Sequence, residues 1–195
     1  MIARRLFVWL PLVLALVLAV VFVIALNRPN QAPTIATMAV DLTNLPVPAF
    51  ALDGAPDALP HAGEVTGLTD QDVAVGENGL ALVNFFASWC APCRIEHPFL
   101  MRLAREGEVA LYGIAYRDTA ERASEYLVDA GNPFRQVGLD PDGDAALGFG
   151  ITGMPETFLI DADGRIRLRI QGPVSGPQFD QLLETIALLE QETGS

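Results

Sequence analysis

The stretch Leu80-Ala-Leu-Val-Asn-Phe-Phe-Ala-Ser-Trp-Cys-Ala-Pro-Cys-Arg94 decides the fold of this 195-residue chain, and it contains both of the chain's cysteines. The apolar run 80–87 is typical of a buried strand, and the segment from Arg94 to about Arg105 is predicted to be helical. Cys90 and Cys93 therefore lie at a strand-to-helix junction, where the N–H groups and dipole of the helix stabilise a thiolate. The second sulfur is one turn further along, near enough to attack a mixed disulfide. This arrangement predicts a redox-active dithiol.

The beginning of the chain predicts a membrane anchor. Arg4 and Arg5 precede an uncharged apolar segment, 6–26, long enough at about 1.5 Å per residue to cross a hydrocarbon core of roughly 30 Å. A cleavable signal peptide has a shorter apolar region of about 7–15 residues; cleavage after Val23-Ile24-Ala25 is the alternative. Because the arginine pair outweighs the single Arg28 beyond the span, residues 1–5 are expected in the cytoplasm and the remainder on the other side.

The rest of the chain divides into a linker, 27–45, and one folded domain, 46–195. The net charge is −12, and every acidic residue follows the predicted anchor. The chain has no lysine and no basic patch, so nucleic acid is not an expected partner. In an oxidising compartment, a single cysteine pair is either a structural bridge or a working redox couple.

Alternating strand and helix patterns continue to the end of the chain. The Ala162-Asp163-Gly164 turn between two strands predicts a hairpin. A kink is expected at Pro98, inside the helix that follows the cysteines. The predicted strands are 49–52, 80–87, 109–116, 137–140, 157–161 and 165–171. The predicted helices are 70–73, 94–105, 119–130, 144–149 and 176–190. This order indicates an α/β domain with a central mixed β-sheet flanked by helices.

Several of these features resemble a thioredoxin-like fold. A strand, Trp-Cys-x-x-Cys, a proline at Pro98, and Gly153-Met154-Pro155 before a later strand occur in the same order. The resemblance implies that Pro155 is the cis proline that thioredoxin-like proteins place against the active-site disulfide. Because only about 5–6% of X-Pro bonds are cis, the sequence alone does not decide the isomer.

The stretches 89–98, 113–118, 131–134 and 155–161 further resemble the CcmG/DsbE family of membrane-anchored, thioredoxin-like thiol:disulfide interchange proteins of cytochrome c biogenesis. The resemblance extends from Pro46 to the C-terminus. It implies a weak, selective reductant, anchored in the inner membrane by one span, with its C-terminal domain in the periplasm. The first expected partner is apocytochrome c, whose haem-binding Cys-x-x-Cys-His disulfide is reduced directly or through a maturation thiol partner. The second is a membrane thiol reductant of the CcdA/DsbD type. No cofactor is expected apart from the redox-active Cys90–Cys93 disulfide. The protein is expected to be a monomer.

Three residues are predicted to be catalytic. Cys90, at the helix N-terminus, is the expected nucleophile, and Cys93 resolves the mixed disulfide. In thioredoxin a buried aspartate on the preceding strand assists the second cysteine; Asn84 occupies that position here and cannot take a proton. Glu96, three residues past Cys93 and on the same helical face, is the candidate replacement. The alternative is that Glu96 is a solvated surface carboxylate.

The predicted contact surface consists of Trp89, Pro92, Met154, Pro155 and Glu156. The tryptophan is expected beside the dithiol, with ordinary core packing as the alternative. The cis-proline segment is expected to keep a backbone edge open for an extended substrate. Glu156 is expected to add negative potential that raises the thiol pKa values.

Other functional classes fit the residues less well. Structural zinc needs four ligands, whereas the chain offers only two cysteines and two histidines. One of the histidines, His97, is expected to be half-exposed on its helix. Covalent haem attachment is excluded because Arg94, not histidine, follows Cys93. A strong oxidase stays open, because the Ala91-Pro92 dipeptide does not decide the redox poise by itself. A binding or holdase role without turnover also stays open.

Overall fold

The computed structural model describes residues 43–74, 79–107 and 109–193, together with Val17, Leu18 and Val20, which are helical. The chain divides into two compact units, 1–41 and 42–195. The predicted cytoplasmic segment 1–5, most of the anchor 6–26 and most of the linker 27–45 lie outside the described residues. Among the helices that are described, none combines the length and apolar character needed to cross a membrane.

The strands of the second unit are β1 (Ala51–Leu52), β2 (Leu68–Thr69), β3 (Leu80–Phe86), β4 (Ala110–Tyr116), β5 (Gln136–Asp140), β6 (Glu156–Asp161) and β7 (Ile166–Gln171). Five of them form a mixed sheet at the centre of this unit, in the order β5-β4-β3-β6-β7. β3 pairs in parallel with β4 and antiparallel with β6, and β6 and β7 form the predicted hairpin. All seven residues of β3 are buried, as expected for a central strand covered on both faces.

Helices cover both faces of this sheet. They are α1 (Asp70–Ala74), α2 (Ala91–Glu106), α3 (Ala120–Ala130), α4 (Asp144–Gly148) and α5 (Pro177–Thr193). The apolar side chains of α2, α3 and α5 pack on one face of the sheet, and those of α1 and α4 pack on the other. Because side chains alternate along β3, Asn84 points toward the face that carries α2. The predicted α/β fold with a mixed sheet and flanking helices is confirmed.

The region 54–69 contains a 3-10 turn at Ala62–Glu64 and the short strand β2, neither of which is among the elements predicted from sequence. β2 pairs antiparallel with β1 in a separate two-stranded sheet. The helix α2 continues through Pro98 to Glu106, and Gly107 ends it with a positive φ of 73°. A glycine adopts this left-handed conformation without the steric cost that other residues meet.

Candidate active site

The two cysteines form a disulfide at the N-terminus of α2, directly after β3. The S–S distance is 2.05 Å and the Cα atoms are 5.3 Å apart. Cys90 is the N-cap residue, and its Sγ accepts a hydrogen bond from the Cys93 N–H at 3.2 Å. Their exposures, 3% and 2%, hardly differ. The two sulfurs are therefore distinguished by electrostatics, because the first N–H groups of the helix favour negative charge on Cys90.

The segment before the disulfide is held by Asp118, which follows β4. This carboxylate is buried and accepts hydrogen bonds from the Ser88 N–H at 2.6 Å and the Ser88 hydroxyl at 3.0 Å. It also accepts from the Thr119 N–H at 2.9 Å. From sequence, Asp118 could be given only a helix-capping role. Its position at the carboxyl end of the strand next to β3 is the signal that could have identified it.

Trp89 lies on the surface rather than in the core, since 55% of it is exposed. Its indole N–H donates to the Arg117 carbonyl oxygen at 3.2 Å, and its ring centroid lies 6.5 Å from that of Tyr116. Ile95 on α2 is also largely exposed, as is Pro92. The beginning of α2 thus presents apolar side chains to solvent next to the disulfide, which is the chemistry of a protein-contact surface.

Glu96 is completely buried, which excludes the alternative of a solvated surface carboxylate. Its Oε1 accepts from Asn84 Nδ2 at 2.8 Å, and its Oε2 accepts from the Val174 N–H at 3.0 Å. Burial raises the pKa of Glu96 to about 7, although both hydrogen bonds oppose the shift. Residues three apart on a helix are neighbours, so Glu96 lies on the same helical face as Cys93.

His97 is buried, in contrast to the half-exposed position expected from its place on the helix. Its Nε2 lies 3.0 Å from the Gly131 carbonyl oxygen, and its Nδ1 lies 2.9 Å from the Tyr126 hydroxyl. The Gly131 carbonyl oxygen can only accept, so Nε2 carries a hydrogen, whereas Nδ1 faces a hydroxyl that can donate or accept. Burial lowers the pKa of His97, which favours the neutral imidazole. His97 is buried because α3 covers the side of α2 that carries it.

The later Gly-Met-Pro segment contains a cis peptide bond between Met154 and Pro155. Met154 packs against the apolar cluster that includes both cysteines. The carbonyl oxygen of Pro155 accepts a hydrogen bond from the Gly172 N–H at 2.9 Å. The structure thus has the isomer implied by the thioredoxin resemblance.

Glu156 is buried and fully engaged in hydrogen bonds. It accepts from the Thr152 N–H, the Thr152 hydroxyl and the Gly153 N–H at 2.8, 3.0 and 3.2 Å. Arg169 on β7 contacts it at 2.7 Å and also donates to the Gly150 carbonyl oxygen at 2.8 Å. Because Arg169 compensates its charge, the clearest role of Glu156 is to hold the loop 150–155 that carries the cis proline. Its effect on the thiol pKa values stays a prediction.

The comparisons with known proteins agree with this site. A family model described as Redoxin matches residues 42–186. The thiol:disulfide interchange protein HelX of Rhodobacter capsulatus is 38% identical over 79% of this chain and 78% of its own length. The thiol:disulfide interchange protein DsbE of Yersinia pestis is 35% identical over 89% of this chain and 87% of its own.

The chain belongs to the DsbE/CcmG family of thiol:disulfide interchange proteins. Solved structures support the same fold. A thiol:disulfide interchange protein DsbE from Chlorobium tepidum superposes with a TM-score of 0.60 at 24% identity, covering 76% of this chain and 96% of that one. A second thiol:disulfide interchange protein from the same organism has a TM-score of 0.57 at 26% identity, covering 75% and 98%.

Family membership and geometry together make the chain a thioredoxin-like thiol:disulfide oxidoreductase whose redox centre is the Cys90–Cys93 disulfide. Within the described part of the chain, no group of three or more His, Cys, Asp or Glu side chains is placed to hold a metal ion.

Proposed function

We propose that the chain is a periplasmic reductant of cytochrome c maturation, which reduces the haem-binding Cys-x-x-Cys-His disulfide of apocytochrome c directly or through a thiol partner. The observation that carries this proposal is the complete burial of Glu96 on the same helical face as Cys93. A carboxylate there disfavours a nearby thiolate, whereas strong disulfide oxidants depend on a stabilised thiolate in their reduced form. The site therefore favours giving electrons to a substrate over taking them.

The reaction begins from the reduced protein. The Cys90 thiolate attacks one sulfur of the substrate disulfide, forms a mixed disulfide and releases the other substrate sulfur as a thiolate. Cys93 loses its proton and attacks the Cys90 sulfur. The second substrate sulfur leaves as a thiolate, and the Cys90–Cys93 disulfide remains. Two electrons have then moved from the protein to the substrate.

Glu96 is the proposed acceptor of the Cys93 proton. A pKa of about 7 lets this carboxyl take up and release a proton near neutral pH. Its place one helical turn beyond Cys93 brings it near the sulfur without exposing it to solvent. This role replaces the strand aspartate of thioredoxin, whose position is occupied here by Asn84.

The proposed substrate-contact region consists of Trp89, Pro92 and Met154 at or near the surface, and it is supported by Pro155 and Glu156, which are buried. The exposed tryptophan and Pro92 supply apolar surface beside the disulfide. The Glu156–Arg169 pair supports the loop in which Met154 and Pro155 lie. We assign Glu156 a positioning role within this region.

The proposed organisation places residues 1–5 in the cytoplasm, a single inner-membrane span at 6–26, a linker at 27–45 and the periplasmic domain at 46–195. The apolar composition of 6–26 and the preceding arginine pair support this arrangement. A membrane thiol reductant of the CcdA/DsbD type would return two electrons to the Cys90–Cys93 disulfide. The protein is proposed to act as a monomer.

The equilibrium reduction potential tests the direction of electron flow. The full-length protein in detergent is equilibrated with glutathione buffers, and the reduced fraction is measured by thiol alkylation. A potential between about −170 and −270 mV supports the reductant, whereas about −120 mV would establish an oxidant and end the proposal. A peptide containing an oxidised Cys-x-x-Cys-His sequence should be reduced by the wild type but not by Cys90→Ala.

A further inference from the structure

The hydrogen bonds around Glu96 suit only one of its two protonation states. Asn84 Nδ2 faces Oε1, and the Val174 N–H faces Oε2. A carboxylate accepts both bonds. A protonated Glu96 must instead donate one O–H, and each of these two neighbours presents a donor to it. When Glu96 is protonated, its O–H therefore needs a hydrogen-bond acceptor. In the ionised arrangement neither Asn84 nor Val174 turns an acceptor toward it.

Asn84 itself has an unused acceptor. Its Nδ2 donates to both Glu96 Oε1 and Thr157 Oγ1, at 2.8 and 3.0 Å. Its Oδ1 is buried and has no hydrogen-bond partner among the described residues. The terminal torsion of asparagine is broad and roughly two-fold, so a half-turn exchanges the positions of Oδ1 and Nδ2. After that turn, Oδ1 faces the same two side chains.

We propose that the Asn84 amide turns over when Glu96 takes up a proton, so that Asn84 Oδ1 accepts from the new Glu96 O–H and from the Thr157 hydroxyl. This inference rests on the proposed role of Glu96 as the acceptor of the Cys93 proton. The proton leaves Cys93 Sγ and arrives at Glu96 Oε1, and no electron moves in this step. The Thr157 hydroxyl pairs with Asn84 in both states, because it accepts from Nδ2 when Glu96 is ionised and donates to Oδ1 when Glu96 is protonated.

The exchange also gives the site a preferred resting state. The ionised arrangement leaves one carbonyl oxygen of Asn84 unpartnered, and the protonated arrangement leaves its amide hydrogens unpartnered. Buried N–H groups without partners are rarer in proteins than under-used carbonyl oxygens, which indicates that they cost more. Asn84 thus favours the ionised carboxyl and promotes release of the proton after each turnover. It is a positioning residue that acts on Cys93 through Glu96.

The other charged groups around Glu96 have their own partners. On α2 the Arg94 guanidinium lies over the Tyr126 ring at 4.8 Å, and His97 contacts the Tyr126 hydroxyl. Burial raises the pKa of Tyr126 on α3 to about 12, and the negative charge of Glu96 adds to this shift. On β6, Glu156 is paired with Arg169 of β7. Asn84 on β3 therefore supplies the acceptor that these groups do not.

The test is an NMR titration of the oxidised full-length protein in detergent between pH 5 and 9. The Glu96 carboxyl carbon reports ionisation, and nuclear Overhauser contacts from the Asn84 amide protons to Thr157 report amide orientation. We expect the contacts to weaken as pH falls, with the same midpoint as the Glu96 signal. Unchanged contacts while Glu96 titrates would overturn the inference, as would a Glu96 carboxyl that does not titrate in this range.

Two variants separate Asn84 from its neighbour. Asn84→Leu removes the donor that stabilises the carboxylate and should raise the proton affinity of Glu96 about tenfold or more. The matched Thr157→Val variant should change it less than about threefold, because this hydroxyl bonds Asn84 in both states. Equal effects would contradict the inference. Failure of the proposed function gives a different result: Glu96→Gln would then retain the wild-type exchange rate, whatever the Asn84 amide does.

Discussion

Replacing Glu96 by glutamine is predicted to remove a specific pH dependence from the stability of the oxidised protein. The pKa of Glu96 is about 7 in the folded chain, compared with its usual value of 4.5. Between these values the folded state holds one proton more than the unfolded state, so stability falls as pH rises. The contribution is fully present below about pH 4.5 and is lost as pH rises through 7. The loss amounts to about 3 kcal/mol.

Urea denaturation of the oxidised full-length protein at pH 4.5, 6, 7 and 8 measures this effect. The free energy of unfolding of the wild type minus that of Glu96→Gln should decrease by about 3 kcal/mol across the series. Taking this difference cancels the opposite contribution of His97, whose pKa is lowered by burial. Glu125→Gln, on the exposed side of α3, is the control and should follow the wild type. A difference between the wild type and Glu96→Gln that stays constant with pH would refute the reasoning.

Three further outcomes are expected. Cys93→Ala should accumulate a mixed disulfide with a substrate peptide, detectable by non-reducing mass spectrometry; absence of this adduct contradicts its resolving role. Arg169→Met leaves Glu156 buried without its cation and should lower the free energy of unfolding by about 3–5 kcal/mol. Arg102→Met removes the exposed Arg102–Glu106 ion pair and should lower the free energy of unfolding by less than about 1 kcal/mol. Equal losses in the Arg169 and Arg102 variants would contradict a stabilising role for the buried Arg169–Glu156 pair. Trp89→Ala should lower the free energy of unfolding by about 1 kcal/mol, because it removes the indole hydrogen bond to Arg117, but it should raise KM for a protein disulfide more than for a small-molecule disulfide. Equal changes in the two KM values would remove Trp89 from the contact surface.

The proposed proton acceptor lies on a different element from the assisting aspartate of thioredoxin. Thioredoxin has that carboxyl on the strand, whereas this chain has Asn84 there and a buried Glu96 on α2. The asparagine is not a vacant position, because it donates to Glu96 and to Thr157. Glu96 keeps a carboxyl on the helical face of Cys93. In the proposed exchange, Asn84 offers its amide hydrogen to the ionised carboxyl and its carbonyl oxygen to the protonated one.

The order of strands and helices could be predicted from local pattern. Long apolar runs identify β3 and β4 because central strands are buried on both faces, and the Asp-Gly turn identifies the β6–β7 hairpin. The cysteine spacing at the strand-to-helix junction locates the redox centre. These features depend on residues close together in the chain. The strand β2 has no pattern that predicts it, because a two-residue strand depends on its partner, here β1, rather than on a period.

The surroundings of the dithiol were decided only by tertiary structure. Glu96 is buried because the connection from β7 to α5 brings Val174 over it, 78 positions away in sequence. Asp118 supports Ser88 because β4 lies beside β3, and Arg169 reaches Glu156 through the register of the hairpin. The sequence alone established the cysteine chemistry and its place in the fold. The charge, burial and hydrogen bonds that tune this chemistry come from residues distant in the chain, because desolvation and pairing depend on what packs around a group.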